Sequence, residues 1–315
     1  MTPIPRPVLA IICPVYNEDV AIPLFFERIL PVMEVLASRF RVRLVFLNNA
    51  STDRTGERIE DVRGRWPETF VISMSRNVGY QASLECGLRN IDADVFVIID
   101  VDCEDPPEMI AQFVDKHEQG FDIAYGERVD RPEPILIKSS RKIFYRLLQR
   151  VADEDIILDM AEFSLFTREV RDAMIDDRSS FPFLRASIGR VGFRRAPIPF
   201  SRQTRIAGAT HYNLVGMSIF AIGGLLSAST LLLRLPVYTL PFWILSLCIL
   251  GAWSVKAHSA WAALAALIVF ASYIGASIAF TALYVARAYK NGLQRPSAVI
   301  DRKRSTLPPR QSDGQ

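Results

Sequence analysis

The sequence predicts an α/β protein, a doubly wound and mostly parallel sheet followed by juxtamembrane and transmembrane helices, on three observations. Short apolar runs rich in β-branched residues alternate with stretches of helical apolar spacing from residue 8 to residue 125 of the 315-residue chain, the pattern of repeated strand and helix units. One run ends on two carboxylates, Asp100 and Asp102, placed where a buried parallel strand gives out, which is where open α/β sheets bind ligands. From residue 214 to residue 286 the chain is almost wholly apolar, interrupted by Arg234, Lys256 and His258, so a membrane appendage follows the sheet.

Each element has a local reason. Residues 8–13 form an apolar strand closed by Pro14, and residues 20–38 repeat apolar positions at helical spacing. Residues 41–47 make the second strand, after which Ser51, Thr52 and Asp53 offer N-cap chemistry to a helix running through Ile59. A short strand at 70–73, a helix at 81–90, the strand from Val95, a helix at 107–120 and a short strand at 122–125 complete the alternation. Residues 305–315 are polar with two prolines and are expected to be disordered.

Composition removes some classes. A formal net charge of +3 gives no argument for nucleic acid. Cys13, Cys86, Cys103 and Cys248 lack metal-ligand spacing and read as reduced, small apolar residues. The first seven residues contain no apolar core of signal-peptide type, so the N-terminal domain is expected to stay in the cytoplasm.

Asp100 and Asp102 suit a hard divalent cation. Mg²⁺ or Mn²⁺ takes one or two protein carboxylates and fills its other positions with water and phosphate oxygens, so the pair points to a nucleotide-diphosphate site. A merely solvated strand end gives the same pattern, and the wider motif order has to decide.

That order is informative. Pro14-Val-Tyr-Asn-Glu18, Asn49-Ala-Ser-Thr-Asp53, Ser75-Arg-Asn-Val-Gly79 and Asp100-Val-Asp102 resemble the nucleotide-sugar domain of glycosyltransferase family 2, of the GT-A type. Asp159-Met-Ala-Glu-Phe-Ser-Leu165, Arg205-Ile-Ala-Gly-Ala-Thr-His-Tyr212, two apolar spans and the closing 284–296 segment look like its membrane-bound polyprenyl-phosphate group, which includes dolichyl-phosphate mannose synthase. The resemblance covers roughly residues 8 to 300.

It implies inverting transfer of one sugar from a nucleotide diphosphate to a polyprenyl phosphate, with Mg²⁺ or Mn²⁺ held by Asp100, Asp102 and Glu104. Glu104 stands where the family commonly has Gln. For the nucleotide sugar the resemblance implies Pro14, Tyr16, Glu18, Leu47, Asn49, Asp100, Val101, Asp102, Arg128, Arg205 and His211. Asn49 replaces a usual Asp, and an amide both donates and accepts where a carboxylate only accepts. His211 replaces a usual Lys, which makes a constant cation tunable. Gly208 allows close backbone approach and Thr210 offers a hydroxyl, while a basic stretch attracted to anionic lipid is the compatible alternative. Arg76, Asn77 and Gly79 match a loop that can face the donor. Arg131 and the 139–141 stretch fall near an acceptor-phosphate segment.

Asp102 and Glu162 are the expected catalytic residues. Glu162 stands where the family usually has Asp, with Ala161 for Gly and Ser164 for Arg beside it. Its extra methylene moves the carboxylate by roughly 1.5 Å, comparable to misplacements that cost about 100-fold, and a structural carboxylate remains the alternative.

Hydropathy alone counts three spans, at 213–233, 237–255 and 261–286. Three would put Arg287, Lys290, Arg295, Arg302, Lys303 and Arg304 opposite the catalytic domain, against the positive-inside rule. Two spans remove the conflict, with 213–233 lying along the interface and a short external loop around Lys256. The expected divisions are a transferase domain at 1–204, a phosphate-binding motif and interfacial helix at 205–235, two transmembrane helices at 236–286, and a basic cytoplasmic tail at 287–315. The partners expected are a nucleotide-diphosphate sugar, a polyprenyl phosphate such as undecaprenyl phosphate, the cytoplasmic membrane, and a second copy of the chain. Two other readings stay open: a membrane glycosyltransferase acting on a sugar hydroxyl, and a degenerate binding protein.

Overall fold

The computed structural model describes residues 6–130, 157, 160–176, 184–207 and 229–309. Seven strands form one sheet: β1 (Val8–Val15), β2 (Arg41–Asn48), β3 (Thr69–Ser73), β4 (Val95–Ile98), β5 (Ile123–Asp130), β6 (Met160–Thr167) and β7 (Arg195–Ser201). Their spatial order is β3-β2-β1-β4-β6-β5-β7. All neighbours pair parallel except β6, which runs antiparallel to both β4 and β5. The doubly wound, mostly parallel sheet expected from the alternation is therefore present, and β6 supplies the reversal. The sequence reading assigned no strand at β6 or β7.

Helices cover the sheet faces where apolar spacing permits. In α1 (Ala21–Leu36), Ala21, Ile22, Phe25, Phe26, Ile29, Met33 and Leu36 face inward at helical spacing and join Leu9, Ile11, Leu44 and Phe46 of the sheet. The other face is covered by α3 (Tyr80–Asn90), which approaches β2 so closely that a Cβ on Gly87 would lie 2.6 Å from Leu47. α2 (Thr55–Arg65), a 3₁₀ turn at Pro107–Met109 with α4 (Ile110–Glu118), α5 (Arg168–Ile175) and α6 (Leu184–Val191) are the domain's other helices among the described residues. Phe113 of α4 meets Phe163 of β6 with ring centroids 4.6 Å apart, and burying each ring stabilises the fold by about 1.5–3 kcal/mol.

Two long helices follow, α7 (Leu231–Ala257) and α8 (Ala260–Gly292), separated by His258 in the left-handed region and Ser259. At 27 and 33 residues both are long and apolar enough to cross a membrane, and side chains such as Phe242 and Trp261 lie exposed on them. α7 begins six residues before the expected span at Val237, and α8 continues past Ala286. Most of the 213–233 segment lies outside the described residues.

One expectation is corrected. Residues 305–309, expected to be disordered, are docked on β3: Val71 and Thr306 exchange backbone hydrogen bonds of 3.1 and 2.8 Å, and Ser305 Oγ accepts from Ser73 N at 2.9 Å. Upstream, Ile300 bridges Met74, and Arg43, buried in the sheet, donates to the Pro309 carbonyl at 3.2 Å. An edge strand needs such cover, which overrides a polar, proline-bearing composition. The tail after α8 thus packs against the sheet of the catalytic domain. In the 51–53 segment the expected capping falls to Asp53, whose Oδ1 accepts from Thr55 N, the first N–H of α2, at 3.0 Å, while Arg54 stands at the N-cap position without a side-chain cap. Ser51 Oγ accepts from Asn17 N at 3.0 Å and Asp53 Oδ2 from Asp19 N at 3.3 Å, so these residues also join two loops.

Candidate active site

The loops following β1, β2, β3 and β4 emerge on one edge because these strands are parallel, and this gathers the motifs. Val15 pairs with Asn48, and Asn48 with Ser73, so the loops starting at Tyr16, Asn49 and Met74 lie side by side. Asn17 takes a positive φ of 55° and accepts from Thr52 N at 2.9 Å; Thr55 Oγ1 accepts from Glu18 N at 2.9 Å. The first loop is thus fixed on the second, with Tyr16 and Glu18 partly accessible.

Asn49 is committed to the third loop. Its amide donates to Asn77 Oδ1 at 2.9 Å, its oxygen accepts from Val78 N at 2.9 Å, and Asn77 Oδ1 also accepts from Gly79 N. An aspartate cannot make the first of these bonds, which explains the amide. Gly79, at φ 84°, turns the chain into α3, a conformation L side chains resist. Leu47 and Val101 are fully buried, and any part they take in the pocket is through backbone.

Asp100 and Asp102 follow β4. Ile98 pairs with Ser164 of antiparallel β6, two residues before Asp100 and two after Glu162, so Glu162 arrives beside the carboxylate pair. Asp100 accepts from Tyr80 OH at 2.9 Å. Glu162 Oε1 accepts from Gln81 Nε2 at 3.2 Å. Burial, then the nearby Asp102 and Asp105 carboxylates and further off Glu162, push the Asp100 carboxyl up to about 7, against the opposing Tyr80 hydrogen bond. The Tyr80 hydroxyl is itself raised, first by burial and then by Asp100.

Arginines cross this acidic cluster. Arg205 donates to Asp102 Oδ2 at 2.9 Å and lies 3.8 Å from Glu18 and 4.0 Å from Glu104. Arg128 reaches both oxygens of buried Asp105 at 3.3 Å. Glu104 forms an ion pair with Arg202. After β7 the 202–207 strap lies on the loop after β4, with Gln203 N donating to Glu104 O and Ile206 N to Asp102 O, both at 2.9 Å. Arg28 pins it, donating to Gln203 Oε1 at 3.1 Å while also pairing with Glu108. Glu18 is raised, by burial first, with Arg205 opposing and Asp102 reinforcing.

The structure therefore brings together Tyr16, Glu18, Asn49, Asp100, Asp102, Glu104, Glu162 and Arg205. His211, Gly208, Thr210, Arg131 and the 139–141 stretch lie outside the described residues. Among the described residues no three His, Cys, Asp or Glu side chains converge as a ready cage, and Glu104 points to two arginines. Two hard carboxylates on one crowded loop still fit a divalent cation completed by substrate phosphates. Tyr80, Gln81, Asp105 and Arg202 were missed in sequence. Asp105 continues the acidic run from Asp100, and Tyr80 and Gln81 directly follow the Gly79 motif, which were the available signals.

A parallel sheet with ligand loops on its carboxyl edge, an acidic pair after the central strand and an antiparallel strand bringing in a further carboxylate define a nucleotide-sugar transferase of the GT-A class. Residues 10–174 match glycosyl transferase family 2, and the chain belongs to that family. An uncharacterized glycosyltransferase, YkcC, of Bacillus subtilis (strain 168) is 33% identical over 73% of this chain and 71% of its own length. The prophage bactoprenol glucosyl transferase homolog of Escherichia coli (strain K12) is 28% identical over 93% of this chain and 98% of its own. A bactoprenol glucosyl transferase of Shigella phage SfV is 29% identical over 78% of this chain and 80% of its own. Among solved structures, glucosyl-3-phosphoglycerate synthase from Mycobacterium tuberculosis, in complex with Mn²⁺, UDP and phosphoglyceric acid, shares the fold with a TM-score of 0.52 at 19% identity, over 70% of this chain and 78% of that one.

Proposed function

We propose that this chain is a metal-dependent, inverting glycosyltransferase that moves one sugar from a nucleotide-diphosphate sugar onto a polyprenyl phosphate at the cytoplasmic face of the cytoplasmic membrane. One observation carries the reading: the acidic cleft is bound through the 202–207 strap to the chain segment leading into a two-helix hairpin whose tail returns to the same domain. The cleft is thereby tethered to the bilayer surface, where a lipid phosphate emerges. The bactoprenol glucosyl transferases among its relatives support the acceptor class.

The chemistry asks for alignment more than for proton transfer. An acceptor phosphate is already ionised, so one of its oxygens attacks the anomeric carbon from the face opposite the leaving group. The bond from that carbon to the nucleotide's phosphate oxygen breaks, and the electron pair departs with the nucleoside diphosphate. Mg²⁺ or Mn²⁺ on Asp100 and Asp102 would supply Lewis-acid stabilisation of that diphosphate. Arg205 and Arg128 exchange their carboxylate partners for phosphate oxygens, a geometry guanidinium groups favour, with His211 as a further cation. Tyr16 and Glu18 line the base and ribose side. Glu162 orients the acceptor. The residues Pro14, Leu47, Asn49 and Val101 shape the pocket through loop and backbone.

The test is to offer the purified chain and undecaprenyl phosphate a panel of labelled nucleotide sugars with Mg²⁺ or Mn²⁺. Label is expected in the organic phase as a single-sugar lipid, and label found only on sugar hydroxyls of glycans would replace this acceptor with the other enzyme class. Orientation has its own test. In a cysteine-free background, Ala260→Cys is expected to react with an impermeant external reagent and Lys303→Cys only after permeabilisation, and external labelling of Lys303→Cys would reverse the assignment.

A further inference from the structure

The first turn of α3 holds two cleft carboxylates at once. Tyr80 donates to Asp100, and the next residue, Gln81, reaches Glu162. Gln81 and Glu162 are both about nine-tenths buried, so their pairing is shielded from competing water. The orientation of the Gln81 amide is set by chemistry. Its Nε2 faces a carboxylate and must donate, while its Oε1, 3.1 Å from Leu184 N, must accept. A carboxylate at position 81 would oppose Glu162, and an apolar side chain would leave Glu162 and the start of α6 without these bonds. Only an amide of this length serves both.

Accepting the reading that Glu162 orients the acceptor, we infer that Gln81 is a positioning residue for sugar transfer: it fixes the Glu162 carboxylate in the cleft and ties it to the N-terminus of α6. The longer Glu162 side chain needs this restraint. A Glu has one more rotatable bond than the Asp usual in the family, and Gln81 removes that freedom by holding Oε1 from the side of the sheet covered by α3. Gln81 acts through Glu162 and does not itself touch the reacting atoms. The expected signature is a loss in kcat with little change in the KM for the nucleotide sugar.

A double-mutant cycle on the full-length chain in lipid vesicles containing undecaprenyl phosphate tests this. Gln81→Leu is expected to lower kcat by about 10- to 100-fold, in the range for small misplacements of a reacting group, with the nucleotide-sugar KM changed by less than about threefold. In a Glu162→Gln background the same substitution is expected to add no further loss, because the carboxylate it positions is gone. The exchanged pair, Gln81→Glu with Glu162→Gln, rebuilds the 81–162 hydrogen bond with donor and acceptor reversed and keeps an oxygen at 81 to accept from Leu184 N. It is expected to recover the wild-type Tm while kcat stays at the Glu162→Gln level, and it carries the test even where Gln81→Leu folds poorly. A full additional loss in the Glu162→Gln background, or recovery of kcat by the exchanged pair, would overturn the positioning role alone. Wild-type kcat in Glu162→Gln would instead remove the reading of Glu162, and the inference with it.

Discussion

The two ends of the sheet treat charge in opposite ways. At the amino end, each acidic group meets a donor built into the fold. Asp94 accepts from Val8 N at 2.8 Å and from Arg168 at 3.1 Å, and Asp92 accepts from Arg168 at 2.6 Å. Arg171 satisfies the carbonyls of Leu88 and Ile91 at the end of α3 while lying 4.9 Å from the Phe96 ring centroid. At the carboxyl end, Glu18, Asp100, Asp102, Glu104, Asp105 and Glu162 crowd together, crossed by Arg128, Arg202 and Arg205 among the described residues. One end neutralises charge for stability. The other accumulates negative charge and raises Asp100 to about 7, an arrangement whose cost a bound cation would offset.

The largest effect that separates the two ends is expected from Asp102→Asn. Removing one proposed cation ligand and the partner of Arg205 should lower transfer by at least about 100-fold while the protein stays folded and membrane-bound, as measured by organic-phase label and by circular dichroism. Chelator should do the same to the wild type, and full turnover in chelator would break the contrast. Removal of residues 298–315 comes next. It bares the β3 edge, the Arg43 guanidinium and the apolar Ile300 and Leu307, so the catalytic domain should lose about 2–4 kcal/mol, read as a lower denaturation midpoint. An unchanged midpoint would mean the tail contributes no stability. Arg168→Ala at the amino end should be milder still. Its ion pairs are about one-third exposed and screened, so about 1 kcal/mol is expected, seen as a Tm lower by about 2–4 °C with kcat unchanged. A loss of kcat there would show that the two ends are not independent.

The fold was legible where hydrophobic period and chain order suffice. β1, β2 and β4 are largely buried strands, parallel where β1 meets the other two, and their apolar runs announce themselves. β6 is buried throughout yet contains Glu162 and Ser164, whose Oε1 and Oγ bond to a partner distant in sequence and to the strand's own backbone, so period alone hid it. The docked tail was illegible for a related reason: its pairing depends on an unpaired edge at β3, which only the assembled sheet creates. In the site, Asp100, Asp102, Glu18, Asn49 and Arg205 came from motif order. Tyr80 and Gln81 did not, because their role depends on which carboxylates α3 is laid against. The substitution of Asn49 became intelligible only once Asn77 was seen to accept its amide.

The central claim, that the carboxyl end is charged in order to be completed by a divalent cation, is tested most directly by the Tm difference between wild type and Asp100→Asn across pH, with and without Mn²⁺. A carboxyl near 7 in the folded state and 3.8 when free binds its proton more tightly when folded, so its ionisation costs stability progressively as pH rises from about 4 to 7. Without metal the two proteins should match near pH 4, and the Asn variant should become the more stable as pH rises, the gap levelling off above pH 7. Saturating Mn²⁺ should stabilise the wild type selectively and close or reverse that gap. A gap independent of pH, or one that Mn²⁺ leaves unchanged, would contradict the account.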